Sequence, residues 1–266
     1  MKKFLFTAAL LIACTNPNAR QLMDADKTAR PDDSSSMAAS TDMKADSGAM
    51  LVAETPKTTP DSTALSATAR SMERQGMVNI QSLDPTIVVS LMYSRPDNFT
   101  GRVLYDDLRE GYLHPKAAKA LVMAQQRLKQ MHPELSLIVF DATRPMSIQQ
   151  KMWNVVKNTK KNIYVSNPAN GGGMHNYGMA VDISICRVGG DTIPMGAKVD
   201  FMGDLSHIDK EDLLVKNKRI SEEARANRQL LREVMGVGGF KPLRTEWWHF
   251  NLCTREEAKR NYKAIK

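Results

Sequence analysis

A change of composition near residue 70 decides which part of this chain can fold around a core. Between Thr15 and about Thr68 the sequence is rich in Ser, Thr, Ala, Asp and Met, lacks aromatic residues, and shows little apolar periodicity. Such a stretch buries too little apolar surface to offset the loss of chain entropy on folding. It is predicted to be a disordered tether that lets a folded domain stand away from its attachment point.

The first residues, MKKFLFTAALLIAC, predict export and lipidation. Two lysines precede a short apolar run, Phe4 to Ala13, which is typical of a secretory signal peptide and too short to span a bilayer. The ending Leu-Ile-Ala-Cys resembles the lipobox of bacterial lipoproteins. Residues 1–13 are therefore predicted to be a signal peptide and Cys14 a lipidated residue, which would anchor an exported protein on a membrane of the periplasm or cell envelope. The alternative is an ordinary signal peptide with an incidental cysteine.

From residue 75 to residue 266 the apolar pattern is that of one folded domain of about 190 residues, enough to bury a core. The tether then comprises residues 14–74. Helices and strands mix without regular βαβ repeats, which predicts an α+β domain with a central, mostly antiparallel sheet flanked by helices. Strands are predicted at 83–93, 135–141, 179–186 and 247–253, and helices at 115–131, 146–157, 221–236 and 255–265.

The charge pattern argues against nucleic acid as a partner. The formal net charge is +8, but the basic residues are scattered and form no arginine-rich stripe interleaved with aromatic residues. The positive charge is interpreted as a solvated surface that suits an anionic envelope. No oligomeric state follows from the sequence. Beyond Cys14, Cys186 and Cys253 are either a disulfide or two independent buried thiols.

The segment GGGMHNYGMAVDIS, residues 171–184, carries the first candidate site residues. Three glycines before His175 and Gly178 after it allow a sharp turn and a close approach of the backbone to a ligand. In the strand that follows, Asp182 is a carboxylate among apolar residues, and an unpaired buried charge would be strongly destabilising. Asp182 therefore binds a cation, pairs with an arginine or caps a loop.

The segment EWWHF, residues 246–250, carries the next two. In a regular strand Glu246 and His249 point to opposite faces, because their separation is odd. Both can reach one site only if the backbone is bulged or if Glu246 lies on the loop that enters the strand. The alternative interpretation is that the aromatic residues are core packing and His249 is a polar edge.

Together these segments offer a metal-ligand set. His175, Asp182 and His249 supply two imidazoles and one carboxylate, which suit Zn²⁺ and leave a position for water. Glu246 would then accept a proton from that water. Arg144, in FDATRP, follows a predicted strand and precedes a proline turn. Its guanidinium can stabilise an oxyanion, or it can pair with Asp141.

In this order the segments resemble the D-alanyl-D-alanine dipeptidases, of the zinc peptidase superfamily that includes D-Ala-D-Ala carboxypeptidases and hedgehog-type domains. That family has a Ser-x-His-x6-Asp segment, a later Glu-x-x-His and an earlier Tyr-Arg-Pro. The resemblance spans 77–266 and includes YSRPDNFTGRVLY, PMGAKVDFMGD and GGFKPLRTEWWHF. It implies Zn²⁺ as cofactor, and these roles: His175, Asp182 and His249 as ligands, Glu246 as base, Arg144 as transition-state stabiliser, and Asp200 and Tyr93 as groups that hold the dipeptide's amino end.

Two positions depart from the family pattern. Gly173 stands where the family has Ser, and Thr143 where it has Tyr before the arginine. Both are expected near the substrate termini, so they bear on substrate preference. The related vancomycin-resistance dipeptidase acts in the cytoplasm, whereas an export signal favours wall-derived peptides here.

The resemblance implies zinc-dependent hydrolysis of D-Ala-D-Ala in cell-wall peptide turnover. One alternative is a D,D-carboxypeptidase or endopeptidase that acts on longer peptidoglycan peptides. Another is a wall-binding module without catalysis, although such a module would have no need of Glu246 as a base.

Overall fold

The computed structural model of the protein describes residues 64–266, so the predicted signal peptide, Cys14 and most of the predicted tether lie outside the described residues. The strands of the described residues are β1 (Val78–Asn79), β2 (Val88–Val89), β3 (Tyr112–Leu113), β4 (Leu135–Asp141), β5 (Ala180–Arg187), β6 (Lys241–Leu243) and β7 (Glu246–Asn251). Five of them form a sheet with the strand order β2-β4-β5-β7-β6, in which β2 pairs parallel to β4 and the other neighbours pair antiparallel. A separate antiparallel pair joins β1 to β3. The predicted α+β fold with a mostly antiparallel sheet is confirmed.

Seven α-helices surround this sheet among the described residues. They are α1 (Ala67–Arg74), α2 (Ile80–Leu83), α3 (Pro115–Met131), α4 (Met146–Val156), α5 (Glu211–Lys216), α6 (Glu222–Val237) and α7 (Arg255–Asn261). None of the helices in residues 64–266 combines the length and apolarity needed to cross a membrane. The two long helices begin with capped first turns: the His114 ring accepts from the Lys116 N–H, and Ser221 Oγ accepts from the Ala224 N–H.

The main core lies between the sheet and helices α3 and α6. Helix α3 buries the side chains that recur at helical spacing, Ala117, Leu121, Ala124 and Leu128. They pack in one cluster with apolar residues of β4, β5, α6 and β7. One face of strands β5 and β7 is therefore packed against the core. This packing fixes the positions of the side chains on their other face.

The predicted strand at 83–93 is wrong except for Val88–Val89. The chain forms helix α2 before this short strand and a 3₁₀ turn, Met92–Ser94, after it. Leu91, Met92 and Tyr93 are apolar because they fill a second core cluster, not because they extend the sheet. A run of apolar residues does not by itself distinguish these two kinds of burial.

The folded region also begins earlier than the predicted residue 75. Helix α1 spans the last residues assigned to the tether, and its Ala69 and Met72 are buried in the second core cluster. At the other end, helix α7 stops at Asn261 instead of 265, and Ile265 is buried beyond it. Cys186 and Cys253 are both free thiols, so the disulfide alternative is not realised.

Candidate metal and active site

His175, Asp182 and His249 meet at the centre of the sheet, where neighbouring strands bring two of them side by side. Asp182 of β5 is paired in register with His249 of β7, and His175 lies on the 3₁₀ turn Met174–Tyr177 that leads into β5. Asp182 Oδ1 lies 3.3 Å from His175 Nε2 and 3.0 Å from His249 Nδ1. The two imidazole nitrogens are 3.2 Å apart. These three ligand atoms can hold one metal ion.

The outer nitrogens of the two imidazoles fix which nitrogen carries the proton. His175 Nδ1 lies 2.7 Å from the Ala142 carbonyl oxygen, and His249 Nε2 lies 2.9 Å from Asn251 Oδ1. Both oxygens only accept, so these nitrogens carry the hydrogens and donate. When both imidazoles are neutral, the inner nitrogens turn lone pairs toward the Asp182 carboxylate, and a cation between these three acceptors would be coordinated by all of them. An N₂O donor set with oriented imidazoles fits zinc.

The Asp182 carboxyl group is ionised even when protons, and not a metal ion, supply the positive charge. Burial by itself would raise the pKa of this carboxyl, but without a metal the charge of protonated His175 and His249 and the hydrogen bonds they donate bring its pKa well below the usual range. The cluster therefore keeps its carboxylate ionised.

Glu246 reaches the cluster through a bulge in β7. Pro242 of β6 pairs with Phe250, but the next residue, Leu243, pairs with Glu246, so β7 bulges between these two pairs. The Glu246 carboxylate consequently lies on the same side as His249, with 3.9 Å between Oε2 and Nδ1. The predicted departure from a regular strand is confirmed.

Burial raises the pKa of Glu246 to about 7, against the opposing charge of His249. A carboxyl with such a pKa can exchange a proton near neutral pH. The aromatic residues of EWWHF have the other role: Trp247, Trp248 and Phe250 are buried in the main core. The interpretation of these aromatic residues as core packing is therefore confirmed.

Arg144 follows β4 and is buried beside the cluster. Its Nε donates to Asp141 Oδ2 at 2.9 Å, and its Nη1 donates to Gln149 Oε1 at 2.9 Å. The pairing with Asp141 is therefore real, but the guanidinium also extends to 3.7 Å from Asp182 Oδ2. The guanidinium carbon lies 5.3 Å from the centre of the Tyr93 ring. This fixed cation thus lies at the edge of the proposed metal site.

Tyr93 and Asp200 form a second polar group in the same cavity. The Tyr93 hydroxyl donates to Asp200 Oδ1 at 3.1 Å, and the Phe99 N–H donates to Oδ2 at 3.0 Å. Asp200 has a φ of 70°, a left-handed conformation that is strained for a residue with a side chain. Burial raises its pKa to about 7, although both hydrogen bonds oppose this shift.

The loop that carries Asp200 is held from behind by helix α6. The fully buried Arg228 donates to the carbonyl oxygens of Met195 and Leu205, at 2.7 and 2.8 Å. Its guanidinium carbon also lies 5.4 Å from the centre of the Trp247 ring. The loop and the strand that carries Glu246 are thus positioned by the same side chain.

One cavity of about 480 Å³ unites these groups. Its lining includes all seven of the predicted site residues in the folded domain: Tyr93, Arg144, His175, Asp182, Asp200, Glu246 and His249. It also includes Gln149, Ser166, Asn251 and Arg255, for which the sequence provided no assignment. Asn251 lies two residues after His249 on the same strand, so it shares the strand face of His249, and the sequence alone could have identified it. No sequence pattern pointed to Gln149, Ser166 or Arg255.

The two departures from the family pattern have different surroundings. Gly173 lines the cavity. Thr143 is buried away from it, with its hydroxyl 3.7 Å from Met77 Sδ and its N–H bonded to the Tyr112 carbonyl. Of the two positions, only Gly173 can influence what the cavity binds.

The chain is similar in sequence to a family of known proteins. The profile of a family described as D-ala-D-ala dipeptidase matches residues 73–265. The D-alanyl-D-alanine dipeptidase of Escherichia coli is 30% identical over 176 residues, which cover 66% of this chain and 84% of that protein. The D-alanyl-D-alanine dipeptidase of Enterococcus faecalis is 25% identical over 179 residues, 60% and 83% of the two chains. That of Streptomyces coelicolor is 29% identical over 183 residues, 60% and 83%.

Proposed function

Since this chain belongs to the D-ala-D-ala dipeptidase family of metallopeptidases, we propose that it is a zinc-dependent enzyme that hydrolyses D-Ala-D-Ala to two D-alanines. The observation that carries the proposal is the convergence of three potential metal-ligand atoms, His175 Nε2, Asp182 Oδ1 and His249 Nδ1, beside the buried carboxyl group of Glu246. A metal that serves only structure would need the three ligands but no base beside them.

The proposed mechanism divides the work among these residues. A bound zinc ion supplies Lewis acidity that acidifies water and polarises a carbonyl group. Glu246 accepts the proton of the attacking water and later donates it to the leaving amine. Burial of Glu246 raises its pKa and so favours the second transfer, in which the carboxyl group donates.

Arg144 is proposed to stabilise the oxyanion of the tetrahedral intermediate. Its Nε, Nη1 and Nη2 each donate one hydrogen bond to Asp141 or Gln149. A guanidinium has five N–H groups, so two remain for a substrate oxygen. Because the partners already hold it in position, little reorganisation is needed during the reaction.

Asp200 and Tyr93 are proposed to receive the free amino end of the substrate. A substrate ammonium would give the Asp200 carboxylate a positive hydrogen-bond partner, which no residue within 64–266 provides, and Tyr93 and Phe99 already orient the carboxylate. Because the anionic Asp200 would bind a free amino group, this part of the cavity favours a dipeptide substrate over a longer peptide.

The test is an assay of the purified domain with D-Ala-D-Ala, with and without a chelator, beside the Glu246→Gln variant. We expect hydrolysis that the chelator abolishes and zinc restores. The variant should keep its zinc content and lose about 100- to 10,000-fold in kcat, because it cannot accept a proton. Near-normal turnover by zinc-loaded Glu246→Gln would refute the mechanism. Cleavage of a pentapeptide muropeptide instead of the dipeptide would favour a carboxypeptidase, and binding to peptidoglycan without hydrolysis would favour a wall-binding module.

The setting is proposed from the N-terminal sequence. The signal-like residues 1–13 and Cys14 support an exported lipoprotein of the cell envelope that acts in cell-wall peptide turnover. Labelled palmitate should enter the full-length protein and not its Cys14→Ser variant. Equal labelling of both would refute the anchor.

A further inference from the structure

The hydroxyl group of Ser166 occupies the space that a side chain at position 173 would need. A Cβ built on Gly173 would lie 2.8 Å from Ser166 Oγ and 3.2 Å from Ser166 Cβ. The backbone at Gly173 is extended, with φ of −110°, which any residue adopts. The neighbouring serine, and not backbone strain, therefore opposes a larger residue at this position.

Gln149 fixes the position of Ser166 relative to Arg144. The buried Gln149 donates from Nε2 to the Ser166 carbonyl oxygen at 2.7 Å, and its Oε1 accepts from Arg144 Nη1 at 2.9 Å. The amide of Gln149 thus couples the position of the serine to that of the guanidinium. Ser166 lines the cavity, and no residue within 64–266 forms a hydrogen bond with its hydroxyl group.

Arg255 also lines this cavity and brings a positive charge to it. Its Nη2 donates to the carbonyl oxygens of Asn170 and Gly172, at 3.0 and 2.8 Å, so the guanidinium lies against the backbone next to Gly173. Its Nε is buried and has no partner among the described residues. A hydroxyl donor and a guanidinium that line one cavity suit the binding of a carboxylate.

We infer that Ser166 is a specificity-determining residue whose hydroxyl binds the terminal carboxylate of the peptide substrate, with Arg255 supplying the positive charge. Gly173 permits this because it has no side chain to compete for the space that the Ser166 hydroxyl occupies. The inference rests on the proposed function, and it adds a site for the carboxyl end to the one that Asp200 provides for the amino end. The cavity then selects a short peptide with both ends free.

The experiment compares D-Ala-D-Ala with its C-terminal amide in four zinc-loaded enzymes: the wild type, Ser166→Ala, Gly173→Ser and the double variant. Ser166→Ala should raise KM for the dipeptide about 10- to 100-fold, since a hydrogen bond to a charged group is lost. It should change KM for the amide much less. Gly173→Ser alone should be impaired by the 2.8 Å contact. The double variant should recover most of the affinity, because the new hydroxyl has a place once Oγ of residue 166 is gone.

The matched control is Ser147→Ala, an exposed serine on α4, which should leave KM unchanged. If the wild type does not hydrolyse the dipeptide, the proposed function fails. If it does, three results would each overturn the assignment of Ser166. These are an unchanged KM in Ser166→Ala, an equal effect on dipeptide and amide, and a double variant no better than Ser166→Ala.

Discussion

Asp182 and Asp200 line the same cavity, yet the protein treats their carboxyl groups in opposite ways. Asp182 lies on a central strand between His175 and His249, whose charges and hydrogen bonds keep its pKa well below the usual range despite burial. Asp200 lies on a loop, where burial raises its pKa to about 7. Burial acts to raise the pKa of both carboxyl groups, so burial alone does not determine the outcome. The partner supplied by the neighbouring element does.

The difference indicates two tasks. A carboxylate that stays ionised between two imidazoles suits a resident cation. One with no cationic hydrogen-bond partner among the described residues suits a cation that binds and dissociates, such as a substrate ammonium. Three substitutions separate these tasks, beginning with the largest expected effect.

Asp182→Asn should abolish the reaction, because it removes the only carboxylate of the ligand set while keeping its shape. We expect zinc to be lost on dialysis and kcat/KM to fall about 1,000-fold or more. Zinc content by atomic absorption and the dipeptide assay measure these effects. A variant that retains both stoichiometric zinc and normal turnover would show that Asp182 is only a structural partner of the histidines.

Arg144→Lys should have an intermediate effect. Lysine keeps the charge but cannot contact Asp141 and Gln149 while still offering hydrogen bonds to a substrate. We expect kcat to fall about 100- to 1,000-fold, the range for loss of an oxyanion donor, with zinc content unchanged. Arg127→Lys, at an exposed ion pair with Glu233, is the matched control and should have no effect. A change in KM alone would place Arg144 in binding instead of transition-state stabilisation.

Asp200→Asn should have the smallest effect and a distinctive pH dependence. With a raised pKa, Asp200 is ionised above about pH 7 and neutral below it. The substrate ammonium needs the ionised form, so the wild-type KM should rise as the pH falls through about 7, about 10-fold per pH unit at the acidic end. Tyr93, Asp182 and Arg144 all influence this carboxyl group and stay unchanged in the variant.

In Asp200→Asn, KM should be high at pH 8 and nearly independent of pH. Asp204→Asn, at an exposed carboxylate farther along the chain, serves as the control and should retain the wild-type profile. Parallel KM profiles for Asp200→Asn and the wild type would contradict a role for Asp200 in binding the amino end.

Local pattern was sufficient for the elements whose burial repeats regularly. Helix α3 and strand β4 match their predicted ranges because period 3.6 and a bounded apolar run are visible without the rest of the chain. Helix α1 was assigned to the tether because its sequence, ATARSMER, is polar and buries only Ala69 and Met72. Its stability depends on a core formed by residues far along the chain, which the local sequence cannot reveal.

The sequence by itself determined the chemistry available to the site: two imidazoles, an aspartate, a glutamate and an arginine, in an order that resembles one peptidase family. Only the tertiary structure decided how that chemistry is used. The bulge in β7 places Glu246 beside His249. The surroundings of the two aspartates shift their pKa values in opposite directions, and Ser166 lies in the space above Gly173. The physical reason is that pKa values and steric exclusion depend on neighbours within a few ångströms, and the fold brings these neighbours from distant parts of the chain.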